Sequence, residues 1–317
     1  MSNDVFIKRL ASPMLLVEGE PFDSKDFIYE LKLDGIRCLA YLDDYTELRN
    51  KRNKDVTFIY PELKRLYKQV NKRCILDGEL IITVNGVPDF FEIQRRSLMT
   101  NPYKISIASK SKPVSFVCYD ILYYDDKEVN TLPLEERKDL LSKNVIENET
   151  LAISRFIEEK GIAFYQLAVK KNLEGVVAKR KTSLYYYGKR SKEWIKFKWM
   201  YDDDFIICGY VRDEKTNGIK SLVLGAYIDK QLVYQGHVSL GIPKQEEKII
   251  IDFVNSHLST CPFSENHYEQ VIWCEPHLVC TIKYMMKTPH NTLRQPVYKG
   301  LRTDKTPIDC QNGGINL

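Results

Sequence analysis

Long apolar runs are missing from this 317-residue chain, and with them any stretch of the roughly 20 residues that a membrane-spanning helix requires. The opening segment, MSNDVFIKRLASPM, has no apolar core of the kind that a secretory leader carries. Paired cysteines are missing too. Eight are present, at 38, 74, 118, 208, 261, 274, 280 and 310, and no two form C-x-x-C. That excludes the common zinc modules and a disulfide scaffold, and it fits a reducing, cytoplasmic interior with no membrane partner. Low-complexity tracts and short internal repeats are also absent, which removes fibrous and solenoid architectures. With 44% hydrophobic and 28% charged residues the chain reads as globular, and its length suits about two domains.

A large excess of either charge is lacking as well. The net charge of +4 does not by itself demand a polyanionic partner. Its distribution says more. Residues 179–198 carry eight basic residues against one glutamate, and RNKRNK at 49–54 carries four basic residues in six, whereas 125–159 is acidic. A basic stripe beside an acidic flank is the footprint of a phosphate-facing surface. Either cluster alone is more often a solvated face.

Alternation and β-branched or aromatic enrichment predict strands near 27–33, 36–42, 74–84, 114–123 and 174–179. Helices are expected at 60–71, 90–99, 133–143 and 154–172, the last capped by Ser154. This interleaving implies an α+β domain of antiparallel sheets flanked by helices, spanning residues 1–201. Beyond the acidic knot at 202–204, strands are expected at 205–212, 220–228, 231–239, 269–273 and 278–285, with a helix at 244–258. Short strands with one interposed helix suit a Greek-key barrel of the oligonucleotide-binding (OB) type over 202–317.

The stretch YELKLDGIR (29–37) sets Lys32 between apolar neighbours just before an Asp-Gly turn. An ammonium so placed is costly to desolvate unless something depends on it. K-x-D-G alone is weak evidence, and a surface lysine before a turn is the bland alternative. Five further segments follow in order: LDGEL (76–80), VCYDILYYD (117–125), EGVVAKR (174–180), WIKFK (194–198) and GLRTDK (300–305). Lys196 and Lys198, two apart on a strand, share one face. Glutamates and lysines offered by separate strands can converge on one cleft and hold a polyphosphate with a divalent metal.

This ordered series resembles the six motifs of the covalent nucleotidyltransferases, the ATP-dependent DNA ligases together with their RNA ligase and capping-enzyme relatives. The likeness runs from about Pro13 to Lys305. Its flanking sequences ASPML (11–15), YPEL (60–63), DFFEIQRR (89–96) and LRQPVYKGLRTDK (293–305) are most similar to the ligase module of bacterial end-joining ligases. The resemblance implies that Lys32 takes AMP from ATP, passes it to a 5′-phosphate at a nick in duplex DNA, and so permits sealing by the 3′-hydroxyl. It further implies Glu79 at the ribose or metal, Glu174 at a Mg2+ or Mn2+ ion, Tyr119 stacked on adenine, and Glu30 at the adenine edge. Arg37 would meet the nucleotide or the nick phosphate. Lys179, Lys196 and Lys198 would bind the nucleotide, and Arg302 and Lys305 would orient the leaving pyrophosphate. Asp34 and Asp304 are expected in local turn or supporting roles.

A lysine is almost fully protonated at neutral pH, so neighbouring cations, Lys196 and Lys198 among them, are expected to free the Lys32 amine. Where the family usually reads Ser-Arg-Asn-Gly, this chain places Lys51, with Arg49 and Arg52 close by and Asn53 at the glycine. Lysine keeps the charge there but loses the bidentate fork, so either Lys51 suffices or Arg52 takes the role through a local register shift. Only 31 residues precede Lys32, so a monomeric minimal core of the bacterial cytoplasm or nucleoid is expected, gripping DNA through phosphates and borrowing affinity from a Ku-type end-binding partner. The alternatives are an RNA ligase or capping guanylyltransferase, and a non-catalytic OB-fold nucleic-acid-binding protein.

Overall fold

The computed structural model describes residues 4–264 and 270–311. The chain divides into two compact units, Met1–Lys198 and Trp199–Leu317.

Among the described residues the first unit holds two large sheets and a two-stranded ribbon, Thr83–Val84 with Val87–Pro88. One runs in the order Leu15–Glu18, Arg190–Lys198, Gly175–Arg180, Ser24–Leu31, Phe156–Glu159. The other runs Leu151–Ile153, Ser115–Tyr124, Cys74–Ile81, Ile36–Leu42, Thr46–Asn50, with Lys127–Glu128 paired to Ser115–Tyr124. Pairing is antiparallel except at one edge of each sheet, where Leu15–Glu18 and Leu151–Ile153 run parallel to their neighbours. The strand IRCLAYL is buried on both faces, which is why it reads as a near-continuous apolar run rather than an alternation. Cys38, Ala40 and Leu42 face a core roofed by Ile93 of the helix Phe90–Ser97. Leu39 and Tyr41 face the other way, into an inter-sheet layer shared with Ile28 and Trp194 of the first sheet. The outer face of the first sheet, through Tyr29, Val176, Ala178 and Phe197, packs on Ala168 of the helix Gly161–Lys170.

Two expectations are corrected here, and one helix is added. Residues 60–71 form no α-helix but short 3₁₀ turns, Pro61–Leu63 and Leu66–Gln69, preceded by Thr57–Ile59. Buried Leu63 and Leu66 stand three apart, the period of the tighter helix. The segment 154–172 begins as a strand, Phe156–Glu159, that pairs with the edge of Ser24–Leu31. Glu159 then adopts a left-handed φ of 64°, so the helix starts only at Gly161. That glycine is required, since a Cβ there would lie 2.2 Å from the Tyr29 ring. A helix at Pro102–Ser111 went unread, although Asn101 caps it by accepting from Tyr103 N and Lys104 N at 3.0 and 3.1 Å, with Pro102 at its first position.

Gly175 opens the strand that follows Glu174. Its φ is 144°, and a Cβ there would stand 1.9 Å from the Phe197 carbonyl oxygen. Gly175→Ala is therefore expected to lower stability by at least about 2 kcal/mol, read as a fall in the thermal midpoint. An unchanged midpoint would show that this close approach is not required.

In the second unit the sheet runs Gln231–Val238, Ile219–Ile228, Tyr201–Arg212, Val279–Tyr284, Val297–Leu301, with Val271–Trp273 also paired to Tyr201–Arg212. The order is an open path. It curls so that Leu240, just past one edge strand, bridges Val297 on the other, with Tyr298 N donating to Leu240 O at 2.8 Å. The helix Lys244–Ser256 packs Ile250 and Val254 onto the core. The expected OB-type Greek-key barrel is met as a sheet that curls over one helix, its strand order an open path rather than a closed ring. Of the strand expected at 269–273, residue 269 lies outside the described residues.

Candidate active site

A cavity of about 310 Å³ opens between the two sheets of the first unit, at the lower end of the range for small-molecule sites. Strand register explains who lines it. Gly175 pairs with Lys198, Val177 with Lys196 and Glu30, and Lys179 with Trp194, so these alternate residues share the inward face. Across the gap Arg37 pairs with Glu79, and Tyr119 stands on the neighbouring strand. Ladder hydrogen bonding carries on past the strand end, Lys32 N donating to Gly175 O at 2.9 Å, which keeps Lys32 on the inward face beyond Glu30.

Lys32, Glu30, Arg37, Lys51, Glu79, Tyr119, Lys179, Lys196 and Lys198 all line this cavity. Glu174 stands just behind the lining and is clasped by it. Its Oε2 accepts from Lys32 Nζ at 2.6 Å, and its Oε1 lies 3.4 Å from Lys198 Nζ. Lys196 leans instead to Glu18 at 3.2 Å. Neighbouring cations were expected to free the Lys32 amine; the contact that it makes is with an acid. Its immediate neighbour is a carboxylate that antiparallel pairing brings from 142 residues away.

Arg37 is held rigidly. Its guanidinium grips both Asp77 oxygens, at 3.0 and 2.6 Å, and the Tyr185 hydroxyl donates to the same carboxylate at 2.7 Å. Lys179 Nζ lies 4.4 Å from the Tyr119 ring centroid and 4.3 Å from that of Trp194. Burial lowers its ammonium to about 8, against the pull of Glu30. Lys198 is lowered as well, by burial first and by Lys32 and Lys196 in part, with Glu174 opposing. Glu79 moves the other way. Burial, opposed by Lys32 and Arg37 and reinforced by Asp77 and Glu174, pushes its carboxyl up to about 8. Near neutral pH this group is therefore mostly protonated, and an arriving positive charge would ionise it.

Among the described residues no three His, Cys, Asp or Glu side chains gather as a closed metal site. Glu174 and Glu79, the charge of the first reaching the second, fit the open kind, in which one or two carboxylates hold magnesium and substrate phosphates complete its shell. The loop residue Lys51 faces the cavity, whereas Arg49 is spent on Glu47 at 2.5 Å and Arg52 is not in the wall. Asn53 has a φ of 58°, the conformation that glycine would supply there. Arg302 and Lys305 belong to the second unit. There both meet Asp204, at 3.2 and 2.7 Å, and Arg302 also pairs with Asp304 at 2.7 Å. Sequence reading missed Asp77, Tyr185, Trp194, Arg190 and Lys138. Arg190 sat inside the basic stripe, which was the available signal; Asp77 lay in the motif LDGEL, unremarked.

Comparison with known proteins follows this geometry. Residues 10–198 match the ATP dependent DNA ligase domain, and residues 215–305 match the ATP dependent DNA ligase C terminal region. The chain is 30% identical over 294 residues to the SPbeta prophage-derived DNA ligase-like protein LigB of Bacillus subtilis, covering 92% of this chain and 98% of LigB. It is 30% identical over 308 residues to the multifunctional non-homologous end joining protein LigD of Mycolicibacterium smegmatis, covering 93% of this chain and 39% of LigD. It thus spans about two fifths of the length of that relative. A solved mycobacterial DNA ligase D complexed with ATP aligns over 98% of this chain and 99% of that one, at 26% identity and a TM-score of 0.56. With the domain model covering residues 10–198 and the C-terminal model following in order, the chain belongs to the ATP-dependent DNA ligase family.

Proposed function

We propose that this chain is an ATP-dependent DNA ligase core that seals 5′-phosphate/3′-hydroxyl nicks in duplex DNA through a lysyl-AMP intermediate. The observation that carries the reading is the convergence of Lys32, Glu79, Lys196, Lys198 and Tyr119 on one cavity, with Glu174 bonded to the lysine. Residues 1–201 act as the adenylating module and 202–317 as the OB module.

Lys32 attacks the α-phosphorus of ATP. A phosphorus–nitrogen bond forms as the bond to pyrophosphate breaks. The amine must first shed a proton, and Glu174, at 2.6 Å, is the acceptor in reach. Lys198 on the other Glu174 oxygen keeps that carboxylate aimed. Lys196 and Lys198 meet the growing charge on the phosphate oxygens, while Lys179, bonded to Glu30 beside the Tyr119 ring, binds at the nucleobase end. Tyr119 stacks on the adenine, Glu30 accepts from its amino group, and Arg37 and Lys51 bind the nucleotide or the nick phosphate. Arg302 and Lys305 orient the pyrophosphate. A divalent metal held by Glu174 and Glu79 supplies further neutralisation of the phosphates when bound. AMP then passes to the 5′-phosphate, and attack by the 3′-hydroxyl releases it.

The setting proposed is bacterial DNA repair or end joining in the cytoplasm, as a monomer, with a Ku-type end-binding protein as partner. Support comes from the end-joining relatives, and no helix among the described residues is long and apolar enough to cross a membrane. The test is sealing of a nicked duplex with ATP and Mg2+. Joined DNA is expected with ATP and none with GTP. DNA binding without any nucleotide transfer to Lys32 would favour a non-catalytic binding protein.

A further inference from the structure

Glu30 lies two residues before Lys32, is 2% exposed, and is met by two buried lysines from different elements. Lys179, on the adjacent strand, donates to Oε2 at 3.0 Å. Lys138, from the helix Leu134–Asn144, reaches Oε1 at 2.5 Å from the side away from the cavity wall that Lys179 occupies. Lys138 is itself only 8% exposed. A buried helix lysine that meets one carboxylate and, at 5.7 Å, the Phe156 ring is expensive to desolvate, and an apolar residue would fill the space at less cost.

We infer that Lys138 is a positioning residue for nucleobase selection, holding Glu30 as an acceptor-only carboxylate so that the cavity favours a purine with an amino group at position 6 over one with a carbonyl. This deepens the ligase reading and rests on it. An ionised carboxylate only accepts hydrogen bonds, which matches the amino group of adenine and repels the oxygen of guanine. A protonated carboxyl carries a donor and matches guanine instead. Burial alone would protonate Glu30; Lys138 and Lys179 outweigh it and hold the group below the usual carboxylate range. Lys179 gives weaker support on its own, because burial lowers its ammonium to about 8, with the charge of Lys138 contributing to that lowering. Left alone with Glu30, the pair can relax into its neutral form, with the proton on the carboxyl. Arg137, the neighbouring cation on the same helix, is already spent on Asp120 at 2.8 Å and does not replace Lys138.

The test measures covalent nucleotide transfer to Lys32 from labelled ATP and GTP over a range of concentrations, in the full chain and in Lys138→Met. The inference expects KM for ATP to rise about tenfold or more with a smaller change in kcat, and the ATP:GTP preference to fall by about tenfold or more. Lys138→Arg should restore the preference. Lys138→Gln keeps a donor and loses only the charge, and it gives the same comparison should the methionine variant not fold. A folded variant with an unchanged ATP:GTP preference, or one losing both transfers by equal factors, overturns the inference while leaving the ligase reading intact. Absence of transfer in the unaltered chain overturns the ligase reading and this inference with it.

Discussion

Lys32→Ala is expected to abolish nucleotide transfer and nick sealing, a loss of about four orders of magnitude or more, because in the proposed mechanism this amine forms the phosphoramidate. Lys32→Arg makes the sharper comparison. A guanidinium keeps the positive charge opposite Glu174, and with it the ion pair seen at 2.6 Å, yet it stays protonated and does not attack. Both variants should bind nicked duplex with affinity close to the unaltered chain. Gel-shift and labelled-transfer assays separate these effects, and residual transfer above about one per cent in either variant would mean that another nucleophile does the work.

The second large effect concerns stability. Arg137 and Asp120 are both fully buried, joined through two hydrogen bonds of 2.8 Å, and Arg137 also donates to the carbonyls of Leu132 and Ser183 at 2.5 and 2.8 Å. Asp120 follows Tyr119 directly, so this pair anchors the strand that carries the ring in the cavity wall. Arg137→Met leaves a carboxylate buried without its partner, at a cost of about 3–5 kcal/mol. For a unit of this size that is a fall in thermal midpoint of roughly 6–20 °C. Replacing both residues, Asp120→Leu with Arg137→Met, should recover part of the loss, because an apolar pair leaves no stranded charge. A single variant as stable as the unaltered chain would show that the pair is incidental.

Much of the site was legible because its motifs are strands or strand ends with a backbone reason for their spacing. Lys196 and Lys198 share a face because strand side chains alternate, and the register with Gly175 and Val177 carries both to the cavity. Asn53 stood where a glycine is usual and proves to hold the left-handed conformation that makes the loop possible. What stayed hidden depends on long-range pairing. The carboxylate that meets Lys32 is 142 residues distant, and nothing local marks it as a partner rather than a metal ligand alone. LEERKDLLSKN reads as an ordinary solvated helix, yet its Arg137 and Lys138 are buried, because the helix lies against the strand Ser115–Tyr124, whose Asp120 meets Arg137, while Lys138 meets Glu30 of the strand Ser24–Leu31. The segment 154–172 misled for a related reason. Its helical periodicity is real from Gly161 onward, but the sheet edge recruits Phe156–Glu159 as a strand, a tertiary demand that local pattern does not carry.

The central claim is that Lys32 itself carries AMP. Intact mass of the purified chain, followed by peptide mapping, tests it most directly. Incubation with ATP and Mg2+ should add the mass of one adenylyl group, located on Lys32 and removed by pyrophosphate. An adduct mapped to any other residue, or a chain that binds ATP and seals DNA with no covalent adduct at any stage, would contradict it.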